Sequence, residues 1–381
     1  MSTGQPDNLP TLVQAIHAAP LQVVINFSGA GAQALAWLHS IGGSSRTILE
    51  ATDCYAAAST IDMIGFEPAQ FASAETARAL AAQAYIRACT LAGPDAPVAG
   101  VGCTAAIATD RRKRGAHRAC VAVCAEPGVS TLELTLAKGA RSRQAEENLV
   151  STLILAAIAK ACGLPAPPLP LLAEEHLARQ TTQSGLIDRL LSGDFNLLVA
   201  QPAGRIVPIK QLPGVALFSG SFNPLHHGHR QLAQVVWQRL GEPVYFELPL
   251  LNADKAPIAA AEARRRVAQF ANFAPVLLTR APLFDQKAQL FPHSIFVIGV
   301  DTASRLIEPR FYQNSHSQML NSLAKIRRAG CRFLVAGRAQ GDRFVTLRHL
   351  SLPDGFRELF EEIPETEFRV DVSSTQIRTN V

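Results

Sequence analysis

Short apolar runs separated by longer stretches with helical spacing recur along this 381-residue chain. Leu21 to Phe27 reads as a strand, followed by the turn Ser28-Gly29-Ala30-Gly31 and a helical stretch from Ala32 to Leu38. Thr47 to Ala51, Val98 to Val101, Ala119 to Ala125 and Leu132 to Leu136 read as further strands. Helices are expected from Ser73 to Cys89 and from Arg141 to Cys162. Beyond residue 214, strands near 215, 244, 276, 295, 331 and 368 alternate with helices, which predicts a parallel doubly wound sheet. Ligands in such sheets bind beyond the carboxyl ends of the strands.

The segment between these halves reads differently. Residues 165–170 hold four prolines in six positions, which stiffens the backbone and withholds amide donors, so an extended spacer is expected. Leu171 to Leu191 reads as a helical pair, and Phe195 to Ala200 with Arg205 to Ile209 as a hairpin. The expected organisation is an α/β domain over 1–162, a linker and connecting segment over 163–213, and a second α/β domain over 214–381.

Composition narrows the class. A hydrophobic content of 48% with 18% charged residues fits folded domains rather than disorder. Met1 to Pro10 is polar without the order of a signal peptide, and no run of 18 apolar residues occurs, so a soluble cytoplasmic protein with no membrane partner is expected. Seven cysteines without CxxC spacing fit thiols in a reducing compartment. The net charge of +5 suits a protein handling anionic nucleotides. The run Arg111-Arg112-Lys113-Arg114 has no accompanying aromatic stacking motif, so a nucleic-acid partner is disfavoured.

The densest candidate chemistry is Gly220-Ser221-Phe222-Asn223-Pro224-Leu225-His226-His227-Gly228-His229. It lies between the strand at Val215 to Phe218 and a helix marked by Leu232, Val235, Val236 and Leu240, with Gly241 as its stop. A helix N-terminus presents unpaired N–H groups and a partial positive charge, which attract phosphate. His226 and His229 add donors where a phosphoryl group gains charge in its transition state. Gly220 and Gly228 let the backbone approach an anion.

This run resembles the first signature of the HxGH nucleotidyltransferase superfamily, in the form found in nicotinamide mononucleotide and nicotinic acid mononucleotide adenylyltransferases. Gly299-Val300-Asp301 after the strand Ile295 to Ile298 resembles the family's GxD. The loop Asn252-Ala253-Asp254-Lys255 lies where relatives place a lysine near substrates. Val372-Ser373-Ser374-Thr375-Gln376-Ile377-Arg378 resembles the ISSTxIR signature, although the sequence continues only to Val381, so barely one helical turn is expected after it. The resemblance implies a Rossmann-like domain that transfers adenylyl from ATP to a mononucleotide. It also implies the roles: His226, His229 and Lys255 on the reacting phosphates, Gly299 and Asp301 at the substrate or ribose, and Ser373, Ser374, Thr375 and Arg378 on the triphosphate. Gly220, Ser221, Phe222, Asn223 and Gly228 would shape the nucleotide loop. Mg²⁺ would arrive with ATP, held by phosphates rather than by protein ligands.

In the amino-terminal half, Ser28 at a glycine-rich strand end, GGSSR at 42–46, Tyr55, and helix starts at Ser73 and Arg141 resemble the CinA C-terminal domain, whose family includes nicotinamide mononucleotide amidohydrolases. In those enzymes a lysine activates the serine, since a hydroxyl needs a nearby base. Ser28 and Tyr55 match, but the lysine's place holds Thr60, so amidase chemistry is expected to be lost or altered. Leu278-Thr-Arg-Ala-Pro-Leu-Phe284 resembles a segment of eukaryotic-type relatives, and with the fused domain it favours nicotinamide mononucleotide as acceptor, giving NAD and pyrophosphate. Two alternatives stay open: an adenylyl- or cytidylyltransferase for another phosphorylated acceptor, and a non-catalytic pyridine-nucleotide sensor. A homo-oligomer is also left open.

Overall fold

A computed structural model of the chain describes residues 8–93, 96–110, 115–126, 128–252, 256–340 and 343–369. Two compact units emerge, Met1–Leu186 and Ile187–Val381.

The first unit is built on a six-stranded sheet. Its strands are β1 (Gln22–Ser28), β2 (Ile48–Asp53), β3 (Val98–Ala106), β4 (His117–Ala125), β5 (Gly128–Leu136) and β6 (His176–Gln183), in the order β2-β1-β3-β4-β5-β6. The first three neighbours run parallel and the rest antiparallel. On one face lies the helix Ala74–Leu91, capped by Ser73, whose Oγ accepts from Thr76 N at 3.2 Å. Its buried face is largely alanine, and β3 meets it with Gly100 and Gly102, where an added Cβ would come within 2.1–2.2 Å of helix backbone. Small residues on both sides thus let helix and strand touch backbone to backbone. The helix Arg143–Ala161 covers the other face and is buried along most of its length.

The second unit has an eight-stranded sheet. Its strands are β7 (Leu197–Ala200), β8 (Ile206–Pro208), β9 (Ala216–Ser219), β10 (Val244–Pro249), β11 (Val276–Thr279), β12 (Ile295–Gly299) and β13 (Arg332–Ala336). A separate ribbon pairs β14 (Arg338–Gln340) with β15 (Arg343–Val345), and β16 (Phe360–Ile363) completes the sheet. The order is β16-β13-β12-β9-β10-β11-β7-β8, parallel from β16 to β11 and antiparallel at the β11-β7-β8 edge. The chain begins the parallel part at β9, builds outwards through β10 and β11, then crosses to β12 on the other side. The doubly wound expectation therefore holds, with its switch point between the carboxyl ends of β9 and β12.

Three expectations change. The helical pair over 171–191 is instead β6 followed by a helix at Leu186–Ser192. His176–Gln183 is mostly exposed and adds to β5 through its backbone, so apolar periodicity had little to report. Among the described residues, which end at 369, the last strand is Phe360–Ile363 and none forms at 364–369: Phe360 stacks on Phe333 at 5.0 Å, while Phe368 ends a turn in which its amide donates to Pro364 O.

The proline-rich segment, expected as a spacer, is pinned to the first unit. Leu164, Leu169 and Leu171 pack on its core. Arg141 donates to both oxygens of Glu175, each at 2.8 Å, and to Pro170 O. The hairpin expected after it does form, as β7 and β8.

No helix among the described residues is long and apolar enough to cross a membrane.

Candidate functional site

β9 ends at Ser219, and the helix His227–Leu240 starts eight residues later, ending at Gly241 with φ of 74°. The loop between them is shaped by one residue in an uncommon conformation. Phe222 has φ of 42°, a left-handed backbone that costs a non-glycine residue about 1 kcal/mol or more. Its ring is fully buried and meets Phe218, Phe246 and Phe270 edge-on, with centroids 5.3–5.7 Å apart. Burying an aromatic ring of this size is worth about 2–3 kcal/mol, which outweighs the strain. Gly220 is required beside it, since a Cβ there would lie 2.7 Å from the Phe222 ring.

The two histidines form one unit. His226 is the N-cap residue, and its backbone N–H donates to Nδ1 of His229 at 3.2 Å, which is one of the two bonds of a capping box, with imidazole in place of the usual carboxylate. The rings stack 3.7 Å apart at 29°. Because Nδ1 of His229 accepts, its proton resides on Nε2 when the ring is neutral. Burial, then the neighbouring His226, lowers the His229 pKa to about 3; burial and then His227 lower that of His226. Two neutral imidazoles therefore stand at a helix N-terminus. Nδ1 of His226 is buried with no hydrogen-bond partner among the described residues. Gly228 is buried within the helix, and His227, at the variable position, is exposed.

Neutral rings carry a measurable cost in acid. The unfolded chain protonates His229 near 6.5 and the folded chain only near 3, so the unfolded state takes up the proton between these values. Stability is then complete above 6.5 and falls as pH drops towards 3. At pH 5 the loss is about 2 kcal/mol, set by the distance below the unfolded value. Urea unfolding of the second unit at pH 7 and pH 5 checks this: His229→Gln, which keeps a capping acceptor, is expected to lose about 2 kcal/mol less than the wild type. Equal losses would contradict the burial of a neutral ring.

The sequence reading missed what holds the loop. Gln269, just after the helix Ala260–Ala268, donates to Phe222 O at 3.0 Å and accepts from Leu225 N at 2.8 Å. Arg266 donates to Ser221 O at 3.1 Å, and Arg265 to Oδ1 of Asn223 at 2.7 Å. Glu262 binds both arginines, and their hydrogen bonds hold its carboxyl down at about 2. The only local signal was the run Arg264-Arg265-Arg266 on one helix.

Gly299 caps the short helix Val300–Leu306 and places Asp301 in its first turn. The Asp301 carboxylate is bound by Arg338 on β14. Beside it opens a cavity of about 370 Å³ lined by Val300, Asp301, Ser304, Arg305, Arg310 and Val345. Arg310 and Arg305 lie 4.7 and 5.6 Å from the Phe311 ring centroid. β12 is the parallel neighbour of β9, so Asp301 and the histidine loop leave the sheet at the same edge. Lys255, Ser373, Ser374, Thr375 and Arg378 lie outside the described residues, as does the basic run at 111–114.

In the first unit, Ser28 ends β1. Oγ1 of Thr60 lies 3.4 Å from Oγ of Ser28 but 2.8 Å from Cys54 O, so its one hydroxyl proton goes to the carbonyl. At the following turn, Oε1 of Glu147 accepts from the amides of Gly31 and Gln33 at 2.9 and 3.1 Å. The anion-attracting start of the helix Ala32–His39 is thereby filled by a carboxylate of the chain itself. Burial, then the charge of Glu147, raises the Asp53 pKa. Tyr55 is exposed.

No curated protein sequence matches the chain. Similar solved structures include the competence/damage inducible protein CihA from Agrobacterium tumefaciens, at 21% identity over 43% of this chain and 98% of that one, with a TM-score of 0.32. A CinA superfamily protein from Escherichia coli is 16% identical over 41% and 88%, TM-score 0.31. A competence or damage-inducible protein from Enterobacter asburiae is 12% identical over 41% and 98%, TM-score 0.32. Residues 217–380 match the cytidylyltransferase-like family. The carboxyl-terminal part of the chain, with its glycine loop and paired histidines after the first parallel strand, is a cytidylyltransferase-like nucleotidyltransferase domain of the HxGH superfamily.

Proposed function

We propose that this domain transfers the adenylyl group of ATP to nicotinamide mononucleotide, forming NAD and releasing pyrophosphate. A phosphate oxygen of the mononucleotide attacks the α-phosphorus; the bond to the bridging oxygen breaks, and pyrophosphate leaves with its electrons. A phosphate monoester has a second pKa of about 6 and is mostly dianionic at neutral pH, so no protein base is needed. Alignment and charge stabilisation are what the protein supplies.

The stacked His226–His229 pair carries this reading. A neutral imidazole with its proton on Nε2 donates to a phosphate oxygen and gains strength as negative charge builds there. Lys255, Ser373, Ser374, Thr375 and Arg378 are proposed as the remaining triphosphate contacts. Asp301 and Gly299 would face the acceptor or its ribose, and Mg²⁺ enters bound to ATP. The acceptor assignment rests on the likeness of residues 278–284 to eukaryotic-type relatives and on the fused amino-terminal domain, which resembles a family that handles the same metabolite.

For the amino-terminal unit we infer loss of the amidase reaction. Thr60 stands where a base is needed and directs its proton to Cys54 O, and Glu147 opposes any anionic group at the turn. Wild type and Ser28→Ala are expected to release equal, background ammonia from nicotinamide mononucleotide. Ammonia release abolished by Ser28→Ala would overturn the inference.

The test of the transferase is pyrophosphate release with each pairing of ATP or CTP and a panel of mononucleotide or other phosphorylated acceptors. Release with ATP and nicotinamide mononucleotide, and NAD as product, is expected. Release only with CTP would support the cytidylyl reading suggested by the family's description, and release with none would support the sensor.

A further inference from the structure

We propose that Glu247, clamped by Lys287 and Thr279, is the fixed point that positions the histidine loop through Ser219. Ser219, Glu247 and Lys287 are then positioning residues for the transfer; this rests on the reading of that loop as the transfer site.

Glu247 lies on β10 between Phe246 and Leu248, and all three are buried, Glu247 completely. A carboxylate in a sheet interior is costly unless its oxygens are satisfied. Here both are. Oε1 accepts from Oγ1 of Thr279 on β11 at 2.5 Å. Oε2 accepts from Oγ of Ser219 on β9 at 2.6 Å and from Nζ of Lys287 at 2.6 Å. Lys287, on the helix Phe284–Leu290, is itself only 3% exposed.

Stability does not account for such a cluster, because a buried ion pair is generally matched or bettered by apolar residues of similar volume. Its location does. Ser219 is the last residue of β9, and Gly220, which opens the loop, donates its N–H to Glu247 O at 3.0 Å. The first two residues of the departure are thus tied to one glutamate by side chain and backbone. Gln269 brackets the far part of the loop, so the imidazoles are suspended between two fixed supports. Phosphoryl transfer is sensitive to displacements of about 1 Å, which can cost about 10²-fold in rate.

The experiment uses the full chain in three variants: Glu247→Leu with Lys287→Met, which removes the whole cluster, Ser219→Ala, which cuts only the link to the loop, and Ser219→Thr, which restores a hydroxyl. Amide exchange is followed on peptides covering residues 220–230 and on core peptides from β12 and β13. Steady-state kinetics with Mg-ATP and the acceptor accompany it. Ser219→Ala and the double variant are expected to exchange loop amides about tenfold faster with core amides unchanged. In both, kcat should fall about 10–100-fold while KM for ATP moves less than about twofold, and Ser219→Thr should regain most of the loss. Should the double variant fail to fold, the Ser219 pair decides alone. Unchanged loop exchange, or faster exchange with unaltered kcat, would overturn the proposal. A wild type that transfers nothing would sink the transferase reading instead, while accelerated loop exchange in Ser219→Ala would still establish the anchor.

Discussion

Replacing His229 by alanine is expected to lower the rate of pyrophosphate release by about 10²–10³-fold, the usual cost of one preorganised donor to a developing negative charge. The substitution removes Nε2–H, the donor proposed for the phosphate. It also removes Nδ1, which accepts the N–H of His226, and a lost capping bond costs about 1 kcal/mol. The fold should survive this smaller loss, so the unfolding midpoint and the rate separate the two effects. His227→Ala, which removes an exposed side chain that takes no part in the bond between His226 and His229, is the control and is expected to change the rate less than about twofold. Near-normal turnover in His229→Ala would remove this residue from the mechanism.

The second large effect concerns stability of the first unit. Arg141→Ala is expected to cost about 3–5 kcal/mol, because it leaves a buried carboxylate without its countercharge. The Arg141 and Glu175 side chains are 4% and 0% exposed. Burial on its own pushes the Glu175 carboxyl up, yet hydrogen bonds from Arg141 and from the amides of Leu172 and Ala137 more than reverse it and hold the pKa below its ordinary value. The same guanidinium grips Pro170 O, so its loss frees the proline-rich segment as well. Trp37 is buried in this unit and the chain's other tryptophan, Trp237, is exposed on the helix His227–Leu240. Urea unfolding followed by Trp37 fluorescence in a Trp237→Phe background isolates the first unit. An unchanged midpoint would mean that the pair contributes nothing net.

These two residues also mark what can be read from the chain alone. The histidine loop was legible because its signals are local: an apolar run, glycines, then a helical period with a glycine stop, all within about thirty residues. The parallel sheet of the second unit, though not the order of its strands, followed from the alternation of strands and helices. The anchors were not legible, because each joins distant segments. Glu247 meets Lys287 forty positions away, Gln269 meets Phe222 forty-seven away, and Arg141 meets Glu175 thirty-four away. The one available hint for Glu247 was a lone carboxylate inside the apolar run Val244–Leu248. Prolines at 165–170 gave the correct extended backbone but nothing about where it docks. β6 was missed since an exposed edge strand is held by backbone bonds that leave little apolar pattern.

Nitrogen-15 NMR of the histidine side chains, titrated with and without Mg-ATP, tests most directly whether the stacked imidazoles are the phosphate site. Free protein should show His229 as the neutral ring protonated on Nε2 well below pH 6.5, with Mg-ATP raising its pKa and shifting Nε2. A ring that titrates near 6.5 and ignores Mg-ATP would contradict the account.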